Sequence, residues 1–205
     1  MKRLLTLSLA ALLAAALTGC GARGAKPVIY LYPEEETQVS VTLELDGTFT
    51  STYPDYGEGW TVTAHPDGTL TDPETGRTYY CLFWEGIIDR QFDLSAGFCV
   101  AGEDTAAFLE DALARLGLTQ REANEFIIYW LPRMEGNPYN LISFQTDTYT
   151  DAAELTIAPA PDTLIRVFMA WKGLERPVEI PAQELTAPAR TGFTAVEWGG
   201  AELGK

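Results

Sequence analysis

Histidine occurs once in this chain of 205 residues, at position 65, and cysteine and methionine three times each. A Ser-His-Asp or Cys-His centre would have to use His65, yet no GxSxG elbow or Cys-Gly nucleophile context accompanies it. One His and two distant Cys cannot build the usual tetrahedral zinc set. No GxGxxG or P-loop sequence is present to cradle a nucleotide, so no cofactor is expected. Basic residues are also scarce, 14 Lys plus Arg against 29 Asp plus Glu. The first nineteen residues hold Lys2 and Arg3 and no acid, so removing them leaves 12 against 29, or −17. A surface so acidic repels phosphate backbones and excludes nucleic acid as a partner. An apolar fraction of 46% with 21% charged residues excludes a disordered chain, a collagen-like repeat and a multi-span membrane protein.

What is present begins with an address. Met1-Lys2-Arg3 is a short basic start, and Leu4 to Leu17 follows as fourteen uncharged residues. Roughly 20 apolar residues are needed to cross a bilayer, so this stretch matches the core of a secretory signal peptide instead. Leu17-Thr18-Gly19-Cys20 resembles a bacterial lipobox. The resemblance implies a signal peptide over 1–19 and a diacylglycerol on the Cys20 thiol. The expected organisation is a lipidated Cys and short tether over 20–26, then one domain over 27–205. Two acyl chains make attachment stable where one is marginal. Arg23 and Lys26 would lie near the headgroups. The expected location is the outward face of a bacterial membrane, periplasmic where there are two membranes.

The body reads as α+β, a mainly antiparallel β-sheet or sandwich with a short helical pair packed on it. Val28-Ile29-Tyr30-Leu31-Tyr32 is a compact apolar run, and Val39, Val41, Leu43 and Leu45 alternate with polar residues as in a half-buried strand. Asp46-Gly47 predicts a hairpin turn, Pro66-Asp67-Gly68 a second, and Asp72 to Gly76 a third. Asp104 is placed to cap a helix with Phe108, Leu109, Ala112, Leu113 and Leu116 on one face, ended by Gly117. Thr119 and Glu122 form a capping box for a second helix. Pro132 predicts that this helix stops near Glu125 and that 126–131 is a strand paired with Tyr139–Gln145. Leu155–Ala158, Thr163–Trp171 and Phe193–Trp198 are further strand-like runs.

With Cys20 lipidated, Cys81 and Cys99 remain. They are either a disulfide, worth about 3 kcal/mol for a loop of roughly eighteen residues, or two buried thiols. His65 reads as an exposed loop residue, and Glu34-Glu35-Glu36 as a solvated turn rather than a Ca²⁺ site. Glu85, bordered by large apolar groups, is the most suggestive carboxylate, with Glu135 as a possible acidic partner and Arg133 or Arg90 as ion-pair partners. Eight tyrosines and tryptophans, from Tyr30 to Trp84, crowd the first sixty residues of the domain; most suit a core. The Gly-rich segment from Tyr53 to Trp60 stands apart as a loop that could present Tyr56 and Trp60 to a ligand.

Lys26-Pro27-Val28-Ile29-Tyr30-Leu31-Tyr32-Pro33, Leu82-Phe83-Trp84-Glu85-Gly86, Gly102-Glu103-Asp104-Thr105 and Tyr129-Trp130-Leu131-Pro132-Arg133-Met134 resemble a bacterial family of exported or lipid-anchored proteins of uncharacterised function. The likeness spans residues 26–185 and implies a recurring unit without bringing a reaction or ligand. The expected role is therefore a non-catalytic binding module for an envelope protein or glycan, with Tyr56, Trp60, Glu85 and Arg133 as ligand contacts. The alternative is an extracytoplasmic hydrolase using an acidic pair.

Overall fold

The computed structural model describes residues 22–204. Cys20, the leader and its cleavage site lie outside the described residues. Strand β1 (Ala22–Tyr32) runs through the middle of a seven-stranded sheet and explains the unbroken apolar run. Val28 and Tyr30 point to one core, Ile29 and Leu31 to the other, so both faces are buried and no polar alternation survives. The sheet comprises β3 (Gly47–Tyr53), β7 (Leu82–Ile88), β1, β12 (Thr194–Glu202), β11 (Thr163–Leu174), β9 (Tyr139–Gln145) and β8 (Phe98–Ala101), in that order. Only β11 and β12 are parallel. The second sheet is β10 (Ala153–Ala158), β2 (Thr37–Leu45), β4 (Trp60–Ala64), β5 (Leu70–Thr71) and β6 (Thr78–Tyr79). Val39, Val41 and Leu43 of β2 face the larger sheet, as their alternation requires.

Helices α1 (Thr105–Arg115) and α2 (Gln120–Met134) cover the other face of the larger sheet, so the layers run helices, sheet, sheet. The α+β architecture read from the sequence is the one observed. A short α3 (Asp147–Ala152) links β9 to β10. Gly117 ends α1 at φ +86°, and Thr119 with Glu122 makes both bonds of the capping box.

Several local expectations fail. Helix α2 does not stop near Glu125 but continues through Pro132 to Met134. Ala123, Phe126, Trp130 and Met134 lie on one buried face. Burying large apolar side chains at about 1.5–3 kcal/mol each offsets the roughly 3 kcal/mol that an interior proline costs. The stretch 126–131 is therefore no strand, and Tyr139–Gln145 pairs with β11 and β8. Asp46-Gly47 is no hairpin either, since β2 and β3 belong to different sheets. It is a corner, held by the Asp46 amide donating to Ala152 and the Asp89 amide donating to Asp46. Gly47 stands at φ +153°, where a Cβ would meet the Ile87 carbonyl at 1.9 Å.

The supposed tether also shortens. Ala22, Arg23 and Gly24 already pair with Ile88, Ile87 and Gly86, and a bulge at Lys26 (φ +53°) and Pro27 absorbs the proline that had marked the strand's start. Cys81 and Cys99 are free. Cys81 directly precedes β7 and Cys99 lies in β8, five interstrand steps away, on the order of 20 Å, where a bridge needs α-carbons within about 7 Å. Asp104 makes no side-chain cap; a 3-10 turn over Gly102–Asp104 leads into α1.

Inside the sandwich, Arg166 and Glu197 are direct neighbours on β11 and β12 and pair at 2.7 Å. The Trp84 indole donates to the other Glu197 oxygen at 3.1 Å, and the Arg166 guanidinium lies 4.8 Å over the Tyr149 ring.

Candidate functional site

The four residues singled out as ligand contacts divide into two pairs. Trp60 is only 3% exposed, packs edge-on to Tyr56 with ring centroids 4.7 Å apart, and donates its indole N–H to the Pro54 carbonyl at 2.9 Å. The Tyr56 hydroxyl bridges the Leu43 amide and carbonyl at 2.8 and 3.1 Å. Both therefore belong to the core between the sheets. Glu85 and Arg133 do share a cleft of about 490 Å³, at the end of the larger sheet where β1 begins. Arg133 lies 4.0 Å over the Tyr129 ring, while Glu85 accepts from Arg23 at 3.1 Å and from the Lys26 amide at 3.3 Å. Glu85 thus pairs with neither Arg133 nor Arg90, and both its oxygens hold the bulged part of β1. Arg90 pairs with Asp46. His65 is half-buried, its ring between Thr71 and Glu36. Among the described residues no three His, Cys, Asp or Glu side chains are grouped to hold a metal ion, and no helix is long and apolar enough to cross a membrane.

A different concavity gathers the tyrosines. Two adjoining cavities of about 460 Å³ each share Tyr80 as their common wall. The first is built on the far end of β1, where Tyr30 and Tyr32 point to the same side and their rings lie parallel, 2° apart, at 6.3 Å. The Pro66-Asp67-Gly68 turn forms its lip. A Cβ on Gly68 (φ +85°) would meet the Tyr32 ring at 2.6 Å, so glycine both makes the turn and lets it close on the tyrosine. The opposite lip is Thr119 and Arg121 at the start of α2. The second cavity is lined by Tyr53, Tyr79, Tyr80 and Phe83, with Val28 and Cys81 in its floor and Lys26 at its edge. Tyr53 meets Tyr79 edge-on at 5.5 Å and is 54% exposed; Tyr80 is 51% exposed.

Ion pairs behind the walls hold this groove open. Glu122, fully buried, pairs with Arg190, whose guanidinium also donates to the Gly117 carbonyl at 2.9 and 3.1 Å. Arg190 comes from the extended crossover between the parallel strands β11 and β12, which carries no residue pattern that would have marked it in the sequence. The Tyr30 hydroxyl donates to Glu125 at 2.7 Å. Burial, with Glu125 adding to it, raises the Tyr30 phenol far above its ordinary value; burial and Glu122 do the same for Tyr32. Burial pushes the Cys81 thiol up to about 12, so it sits in the floor as a neutral apolar group. Asp67 accepts the Thr69 amide at 2.8 Å, which lowers its carboxyl below the ordinary value. Arg121 pairs loosely with Glu125 at 3.7 Å. The groove is thus an aromatic trough with hydroxyls along it and carboxylates committed to its walls.

No protein-family model matches the chain, and no solved structure does. The chain is similar to a protein of Butyrivibrio fibrisolvens described as an uncharacterized protein in the bglA 3′ region, with 44% identity over 85 residues. The match takes in 37% of this chain and 86% of that protein. An identity this high over nearly the whole relative means that the chain belongs to the family of that Butyrivibrio protein.

Proposed function

We propose that this protein is a lipid-anchored, outward-facing binding module of the bacterial envelope, and that the tyrosine-walled groove is its ligand site. The observation that carries this reading is the pair of cavities meeting at Tyr80, where Tyr53 and Tyr80, the two exposed aromatic side chains among the described residues, stand together. Strand β1 starts two residues after Cys20, and Tyr32 lies ten residues further on. At about 3.3 Å per residue, Tyr32 in the first cavity lies roughly 30 Å from the strand's first residue, and Lys26 at the edge of the second about 13 Å. Lipid on Cys20 would therefore hold the start of β1 at the membrane, with the second cavity nearer to it and the first facing outward. Asp67, Glu122 and Glu125 each accept a bond that shapes a wall, an arrangement suited to holding a ligand rather than to acid–base chemistry. Detergent-solubilised lipoprotein mixed with purified insoluble cell envelope tests this by co-sedimentation. The expected result is that wild type pellets and a Tyr53→Ala, Tyr80→Ala variant with unchanged melting temperature stays in solution. Equal pelleting of the two would remove the groove as the site.

A further inference from the structure

Resting on that reading, we infer that the groove takes a neutral, hydroxyl-rich polymer: a glycan chain laid across Tyr80 with sugar units in both cavities. Three observations carry it. The first is charge. Arg121 pairs with Glu125 and Arg190 with Glu122 behind the walls, while Lys26 borders one cavity and Asp67 the other without an ion pair, so the formal charges come to three against three. With no surplus of either sign there, and 29 acids against 14 basic residues in the chain, a polyanion is repelled and a cation finds one exposed carboxylate, Asp67, rather than a cluster.

The second is the pairing of flat aromatic faces with hydroxyls. Tyr53, Tyr79, Tyr80 and Phe83 offer apolar rings, while Thr69 and Thr119 border the first cavity and Thr78 the second. Aromatic faces attract polarised C–H edges, which sugar rings present on one side, and a hydroxyl both donates and accepts, as a polyol demands. The raised phenols of Tyr30, Tyr32 and Tyr80 keep their protons throughout the physiological range. The third is length. Two equal cavities joined at one aromatic wall suit a repeating ligand better than a single compact molecule. Of the two edge strands that reach the groove, β6 is only two residues long and β3 enters it only with its last residue, Tyr53, before Pro54, which leaves little backbone for an added peptide strand to pair with.

Isothermal titration of the solubilised lipoprotein with neutral sugars tests the inference. The probes are glucose, xylose and N-acetylglucosamine, each as monomer and β-linked hexamer, beside a proline-rich decapeptide and a poly(glycerol phosphate). At least one hexamer should bind about tenfold or more tighter than its monomer, and Tyr80→Ala should weaken it about tenfold while leaving the melting temperature unchanged. Tyr80→Phe, which keeps the ring, should weaken it much less. Failure of all the neutral hexamers overturns the glycan assignment. Tyr80-dependent binding of the peptide or the polyphosphate also overturns it, while leaving the groove as a binding site. Sugar binding that Tyr80→Ala and Tyr53→Ala do not change overturns both.

Discussion

At Asp67 a single carboxylate sets the lip of the groove, through its bond to the Thr69 amide. Backbone amides hold Asp72 and Asp93 in the same way, at Thr75 and Glu74 for the first and, with the Ser95 hydroxyl, at Ser95 for the second. All three carboxyls lie below their ordinary value of 3.8. A carboxyl lowered by folding adds stability that is fully present above its unfolded value and is lost as pH falls through the lowered one. Binding in the groove should therefore be flat from pH 8 to 5 and weaken only below about pH 4, where protonation frees the turn. A binding titration against pH checks this, and a loss centred near pH 6 would point to a different group. Asp67→Ala should reproduce the acid behaviour at neutral pH, whereas Asp67→Asn keeps a carbonyl acceptor and most of the affinity. The sequence marked this aspartate as a turn residue. Its place in a groove depends on Tyr32 and Arg190, 35 and 123 residues away in the chain, and no local pattern carries such distances.

Among the elements, β11 and β12 carry the most consequential pair. Glu197 is fully buried and accepts from both Arg166 and Trp84. Removing one member of such a pair leaves the other charge without compensation. Arg166→Met should cost about 3–5 kcal/mol, and Arg166→Met with Glu197→Leu should recover most of it. Urea midpoints at constant slope measure both, and a single-variant loss below about 1 kcal/mol would show that the pair is not isolated from water as placed here. Element reading from sequence succeeded where the signal was local: the alternation of β2, the capping box of α2 and the glycine end of α1. It failed at Pro132 and at Asp46-Gly47, where tertiary burial and sheet membership outweighed correct local preferences.

For the molecule as a whole, the proposed anchor precedes the strand, β1, along which the groove runs from Lys26 to Tyr32. Cys20→Ala should release the protein from the membrane fraction without changing its melting temperature. A variant that stays with the membrane would mean that something other than the Cys20 lipid holds it. The two-core arrangement also accounts for the aromatic residues. Trp60, Trp84, Trp130, Trp171 and Trp198 are all buried, four of them fully, so all the tryptophans serve packing. Most of the tyrosines divide between core and groove, because a phenol can leave its hydroxyl in water while its ring rests on the protein.

Composition, turn chemistry and hydrophobic period were enough to read the acidic, β-rich character and the α+β class, since each depends on composition or on neighbours a few residues apart. Folding alone settled which aromatics remain in water, how far Cys81 lies from Cys99, and which carboxylates share a cleft. Those outcomes turn on which strand lies beside which. Strand order is a matter of competing long-range burials, and two strands with the same alternating pattern carry no mark of the sheet they will join.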